Sequence, residues 1–173
     1  MTHVVEHDGD LRIIAATSGS LDAEDIGGDA LAACLGLKPP LDWPPEHNDA
    51  PTRDWVRALL RDTADSSWAT WYIVVDDRPV GICGFKGAPN DAGEVEIGYS
   101  VVGREQRRGH ASRAIGLLLR RAFREPHVSA VVAETLPHLT PSRRVLEKHG
   151  FTLESSRQEE GLGEVIGYRL ERP

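Results

Sequence analysis

Between Gly93 and Phe123 the apolar period of the chain switches from two to between three and four, which leaves few folds open to it. Val95, Ile97 and Tyr99 alternate with Glu94, Glu96 and Gly98, the pattern of a strand with one apolar face. Gly103 interrupts the run, and Gln106-Arg107-Arg108-Gly109-His110 follows without an apolar residue before Ala111. Ala111, Ala114, Ile115, Leu118 and Ala122 then recur at helical spacing, so a helix is predicted from near Gly109 to Phe123 or Arg124.

A strand that turns through glycine into a helix aims free backbone N–H groups, and the positive end of the helix dipole, at one point. Arg104, Arg107, Arg108 and Arg113 gather there, opposed by Glu105, in a chain of formal net charge −7. Concentrated arginine in an acidic protein suits a particular anion, and a diphosphate fits this geometry. Gly109 would let phosphate oxygens come close to the backbone. The same letters also describe an ordinary corner with solvated arginines, and turn chemistry alone does not separate the two.

Longer motifs do. Gln106–Ala111 (QRRGHA) resembles the Gln/Arg-x-x-Gly-x-Gly/Ala signature of the GNAT N-acetyltransferases, and the preceding EIGYSVV resembles their fourth strand. Glu134–Phe151 (ETLPHLTPSRRVLEKHGF) resembles their fifth strand, loop and last helix, closing in Glu-Lys-x-Gly-Phe. The three segments keep the family's order and spacing, and the likeness extends over most of residues 11–170. Within the family it looks most like the RimJ/RimL type, the ribosomal-protein alanine acetyltransferases.

The resemblance implies a mixed α/β (α+β) fold: a twisted, mostly antiparallel sheet of about seven strands, splayed between the fourth and fifth, with four to five flanking helices. It also implies acetyl-CoA as acyl donor, coenzyme A as product, and direct attack by a primary amine in a ternary complex. The pantetheine arm would lie along the free edge at Tyr99 and Val101 as an added strand. Gln106, Arg107, Arg108, Gly109, His110, Ala111 and Ser112 would hold the diphosphate. A bulge in the fourth strand would expose an N–H to the thioester oxygen.

Acyl transfer also needs a neutral amine and a protonated leaving group. A carboxylate can relay the amine proton, and Glu96 on the fourth strand is the first choice, with Glu134 across the splay the second. Ser142 stands where the RimJ/RimL type carries serine and can donate to the departing sulfur; it also reads as a helix N-cap, in competition with Thr140. The chain departs from the family at Leu139 and Leu146, where many members carry Asn and Tyr, the latter as acid. On the acceptor side the resemblance points to Trp43 and Glu46, in a loop of five prolines. Trp43 reads equally well as a plug between helices and sheet.

The rest of the chain sets bounds. Its 173 residues fit one domain over 11–173 behind a loose tail at 1–10. No run is long and apolar enough to span a membrane, and the polar N-terminus lacks a signal-peptide core, so a cytoplasmic protein is expected. Cys34 and Cys83 form no CxxC, and His3 and His7 have no third ligand, so no metal site is expected. The acidic balance disfavours nucleic acid and suits a cationic acceptor. Ser20 and Asp29 read as caps of the first helical pieces and Thr52 as the cap of the next, whose Trp55, Val56, Leu59 and Leu60 form the expected buried stripe. Arg120, Arg121 and Arg124 read as solvated.

The expected activity is therefore acetyl transfer to a protein N-terminal or related α-amine, by a monomer or homodimer. Two rivals are a small-molecule amine acetyltransferase and, given Leu139 and Leu146, a non-catalytic acyl-CoA sensor.

Overall fold

One pair of neighbouring strands runs parallel among the described residues, and the molecule opens along it. The computed structural model describes residues 3–173. Its strands are β1 (Val5–Asp8), β2 (Leu11–Ala15), β3 (Thr70–Val75), β4 (Arg78–Phe85), β5 (Glu94–Val101), β6 (Ala130–Thr135), β7 (Thr152–Glu159) and β8 (Gly163–Glu171). They form a sheet in the order β1-β2-β3-β4-β5-β6-β8-β7. β5 and β6 are parallel, as a strand following a crossover helix can be. The other pairs are antiparallel. The architecture is the expected mixed α/β sheet, with eight strands where about seven were anticipated.

The added strand comes from the expected tail. Asp8-Gly9-Asp10 makes a tight turn with Gly9 at φ 60°, folding Val5–Asp8 back onto Leu11–Ile14. Arg113 Nε then donates to Asp8 at 3.0 Å and its Nη2 to Asp10 at 2.8 Å, tying the hairpin to the central helix.

Five α-helices cover the two faces: α1 (Ser18–Ile26), α2 (Gly28–Leu35), α3 (Ala50–Asp62), α4 (His110–Arg124) and α5 (Thr140–Lys148). Sheet alternation sorts the side chains between them. On one face Val95, Ile97, Val101, Val131 and Ala133 join Ala114, Ile115, Leu117, Leu118 and Ala122 of α4 and Leu146 of α5 in the larger core. At about 1.5–3 kcal/mol for each fully buried Leu or Ile, that stripe fixes α4 on the sheet. On the other face Ile14, Tyr72 and Val74 pack with Leu21, Leu31 and Val56 of α1 to α3.

The helix starts differ from the sequence reading. Thr17 caps α1, accepting from Ser20 N–H at 3.1 Å, while Ser20 Oγ accepts from Thr17 N–H at 2.9 Å; Ser20 is the far half of a capping box. Gly27, not Asp29, precedes α2. Asp49 caps α3 by accepting from Thr52 N–H at 2.9 Å, so Thr52 is the capped residue. Trp55 is 47% exposed, because α3 meets the sheet mainly through Val56. Arg121 is buried, not solvated: its guanidinium lies 4.2 Å from the Trp68 ring centroid and donates to Asp65 and Ser67.

Candidate active site

The parallel pairing of β5 and β6 starts at Glu94 and Ala130 and stops at Ile97 and Ala133. Gly93 starts it: at φ 76°, and with His127 O where a side chain would be, it brings its carbonyl to 2.7 Å from Ser129 N. Past Ile97 the strands diverge, while β4 stays paired with β5 through Gly81 and Val101. Lys86 N donates to Glu96 O and Val102 N to Val80 O, both at 2.9 Å, so residues of even number turn their backbone groups toward β4. Tyr99 and Val101 therefore turn theirs into the gap. The β4–β5 register is continuous from Ile97 to Val101, which corrects the expected bulge: divergence of two strands, not an extra residue, frees these groups.

At the wide end of the gap lies the start of α4. Gly109 precedes it in left-handed conformation, φ 81°, with nothing within 4 Å of where a Cβ would project. The first helical bond here is Arg113 N–H to Gly109 O at 3.1 Å. The N–H groups of residues 107 to 112 make no backbone hydrogen bond among the described residues, and those of 110 to 112, in the first turn of α4, lie at the positive end of the helix dipole. Gln106 is exposed along its chain, yet Nε2 donates to Val101 O at 2.9 Å, closing the turn onto the strand end. Arg107 is exposed at φ 62°, and Arg108 lies 3.5 Å from Glu105.

The side chains of His110 and Ser112 turn inward. His110 Nε2 lies 3.3 Å from Glu105 Oε2. His149 Nε2 donates to Ser112 O at 2.7 Å, and the Ser112 hydroxyl lies 3.1 Å from the same nitrogen, tying α4 to α5. Ala111 packs on the larger core. What His110, Ala111 and Ser112 present outward is backbone.

The two faces of the gap differ. Glu94, Glu96, Glu134 and Glu154 line a cleft of about 300 Å³ on the face away from α4. Glu96 precedes the last paired residue of β5 and Glu134 follows the last paired residue of β6, so both flank the apex. Lys86 Nζ pairs with Glu96, Arg157 grips Glu134 at 2.8 and 3.2 Å, and Arg169 pairs with Glu94 and holds its carboxyl below the usual range. On the α4 face, Tyr99 OH lies 2.9 Å from Ser142 Oγ, and Thr135 Oγ1 donates to Ser142 Oγ at 3.1 Å. Ser142 lies within the first turn of α5 and caps nothing; Leu139 occupies the N-cap position, without a side-chain hydrogen bond. Leu146 is fully buried and Leu139 is 39% exposed.

The acceptor-side candidates sit elsewhere. Glu46 is exposed, with His47 Nε2 3.8 Å away. Trp43 is committed to packing: its ring centroid lies 6.4 Å from that of Tyr72, and its indole N–H donates to Glu24 at 3.1 Å. Glu24 also accepts from Asn48 and, at 3.1 Å, from Tyr72 OH; burial raises its pKa against these three donors. Sequence reasoning did not single out this carboxylate. Its place on the sheet-facing side of α1 was a signal, since Leu21 and Glu24 are one helical turn apart. Cys83 is buried and its thiol is pushed up by desolvation, which suits a core residue.

Residues 29–152 match the model of the acetyltransferase (GNAT) domain. The chain belongs to the GNAT family. It is 31% identical over 97 residues to YjdG of Bacillus subtilis (strain 168), an uncharacterized N-acetyltransferase, covering 55% of this chain and 58% of that relative, less than two thirds of its length. Among solved structures, apo RimL, a ribosomal L7/L12 alpha-N-protein acetyltransferase, superposes with a TM-score of 0.75 at 20% identity, over 99% of this chain and 96% of RimL. The microcin C7 self-immunity acetyltransferase MccE, solved with acetyl-CoA and AMP, gives a TM-score of 0.69 at 15% identity, over 95% and 94%. At these identities the superpositions show the fold alone. No helix among the described residues is long and apolar enough to cross a membrane.

Proposed function

We propose that this GNAT protein transfers the acetyl group of acetyl-CoA to a primary amine, with a protein N-terminal or related α-amine as favoured acceptor. One observation carries the reading: a gap whose β5 edge offers the backbone groups of Tyr99 and Val101 ends at a helix mouth where the N–H groups of 107 to 112 have no backbone acceptor among the described residues. The edge suits the two amides of a pantetheine arm and the mouth suits a diphosphate. Gln106 already holds the Val101 carbonyl, so the Val101 N–H and both Tyr99 groups are the ones left to a ligand.

The acidic cleft on the opposite face accounts for the acceptor. Glu94, Glu96, Glu134 and Glu154 concentrate negative charge where an ammonium group would approach the apex. An α-amine, with an ordinary pKa near ~8, loses its proton at lower cost than a lysine side chain near ~10, which favours a chain terminus. Glu96 takes that proton, because its cationic partner, Lys86, is half exposed, whereas Arg157 clamps Glu134 through two bonds. The amine nitrogen then attacks the thioester carbon, a free strand N–H steadies the oxygen, and the C–S electron pair leaves with sulfur.

A thiol-release assay with acetyl-CoA against a panel of peptides and small amines tests this. Turnover with α-amino peptides is expected; turnover confined to small amines would move the acceptor to the metabolite class, and tight acetyl-CoA binding without amine-dependent release would make the protein a sensor. Glu96→Gln should lower kcat about 10²-fold at neutral pH and leave acetyl-CoA affinity unchanged. An unchanged pH–rate profile would remove Glu96 from the chemistry.

A further inference from the structure

The chain has three lysines, Lys38, Lys86 and Lys148, and one of them stands beside the acidic cleft. Lys38 lies beyond the end of α2 and Lys148 closes α5, both exposed. Lys86 directly follows β4. Its backbone N–H donates to Glu96 O at 2.9 Å, and its Nζ pairs with the Glu96 carboxylate. Its Cε stands 4.0 Å from where a Cβ would project from Gly98. The side chain therefore lies over the first residue of β5 past the parallel pairing, which ends at Ile97. By strand alternation Glu96 and Gly98 share the face away from α4, so the lysine amine reaches the apex from the acceptor side.

Fold stability does not account for this placement. A half-exposed lysine–carboxylate pair contributes little, because solvent screens it and two side chains lose rotamer freedom to form it. What the pair does supply is an amine in contact with the proposed base, at the place where an acceptor nitrogen must arrive. Lysine amines as a class hold their proton about two pKa units more tightly than α-amines, roughly a hundredfold handicap. Against that, a well-placed tethered amine reacts with an effective molarity of ~10⁵–10⁸ M. Tethering outweighs the handicap until another amine fills the cleft.

We infer that Lys86 is a self-acceptor: with acetyl-CoA bound and no other amine in the cleft, the chain acetylates its own Lys86 Nζ. The inference rests on the acetyltransferase reading above. Glu96 takes one proton from the Lys86 ammonium, and the freed electron pair on Nζ forms the bond to the thioester carbon. As the C–S bond breaks, its electron pair stays on sulfur, Nζ sheds a second proton and sulfur takes one; Glu96 returns its own to solvent. One ammonium and one thioester become one amide, one thiol and one released proton, and no other reagent is consumed. The product side chain is uncharged, so Glu96 loses its cationic partner and the rim of the cleft becomes more negative by one charge.

Incubating the full chain with acetyl-CoA and no amine, then mapping its peptides by mass spectrometry, tests this. One acetyl group is expected on Lys86, at a rate unchanged over a tenfold dilution of the protein, with the more freely placed Lys38 and Lys148 unmodified. Glu96→Gln should slow the modification about 10²-fold. Lys86→Arg, which keeps a cation beside Glu96, should abolish it, and a saturating acceptor amine should suppress it. A readout without turnover comes from lysine-selective NMR: coenzyme A should shift the side-chain signals of Lys86 and leave those of Lys38 and Lys148 in place. Acetyl groups spread over all three lysines, a rate that rises with protein concentration, or an unmodified Lys86 in protein that acetylates external amines would overturn the self-acceptor and leave the acetyltransferase reading standing. Absence of acetyl transfer both to Lys86 and to external amines would overturn both.

Discussion

The mouth of α4 and the node around Glu24 use similar polar groups in opposite ways. At the mouth, six consecutive backbone N–H groups, 107 to 112, have no backbone acceptor among the described residues. At the node, one buried carboxylate takes three side-chain donors, from Trp43, Asn48 and Tyr72, and Tyr72 OH is in turn 3.2 Å from Ser20 Oγ. Unsatisfied donors persist at a surface where water or a ligand completes them; buried ones must be satisfied within the fold. The first arrangement is the proposed binding surface, and the second ties the proline-rich loop to α1 and the sheet. Polarity alone would have pointed to both.

The sharpest way to break this contrast is to block the mouth. Gly109→Val places a branched side chain where phosphate oxygens must approach, at a φ of 81° that L-residues avoid. Affinity for acetyl-CoA, measured by calorimetry, should fall at least about 100-fold, while unfolding in urea shifts by only about 1–2 kcal/mol of left-handed strain. Retained affinity would mean that the mouth is an ordinary corner.

The converse change empties the node. Glu24→Ala leaves three donors without an acceptor and should cost about 2–3 kcal/mol in urea unfolding. Acetyl-CoA affinity of the folded fraction should be unchanged. A matching loss of affinity would make the Glu24 loop part of the binding surface after all.

The smallest effect is the most specific. Desolvation raises the folded-state pKa of Glu24 above its ordinary value of 4.5. Folding therefore favours the protonated form, so the contribution of Glu24 is greatest below the ordinary value and declines as pH rises through the raised one. Glu24→Gln carries no such charge. Its stability relative to the unaltered protein should increase from about pH 4.5 toward neutral and then level off, as followed by urea melts across that range. A difference independent of pH would show that the donors fully offset desolvation.

The legibility of these features in the sequence follows the range of the interactions behind them. Strand β5, its turn and α4 were readable because each depends on local period and on glycine. The hairpin of β1 and β2 was also within reach: Asp8-Gly9 between two alternating runs is a turn signal, outweighed by the polarity of the segment. Arg121 looked solvated because only the fold places Trp68 beneath its guanidinium. Trp55 kept helical period with Leu59 but lies on the rim of the buried stripe, where period says nothing about coverage. At the site, the helix mouth and the two apex carboxylates follow from strand and helix placement. The Tyr99–Ser142–Thr135 cluster and the commitment of Trp43 to Glu24 depend on contacts across many intervening residues, which no spacing rule reports.

Whether the α4 mouth grips the diphosphate can be read by an amide-resolved NMR titration of the folded protein with coenzyme A. Saturable shifts are expected for the N–H signals of residues 107 to 112 and of Tyr99 and Val101, with the indole N–H of Trp43 unmoved. Silent amides at the α4 mouth, or shifts centred on the Glu24 node, would contradict it.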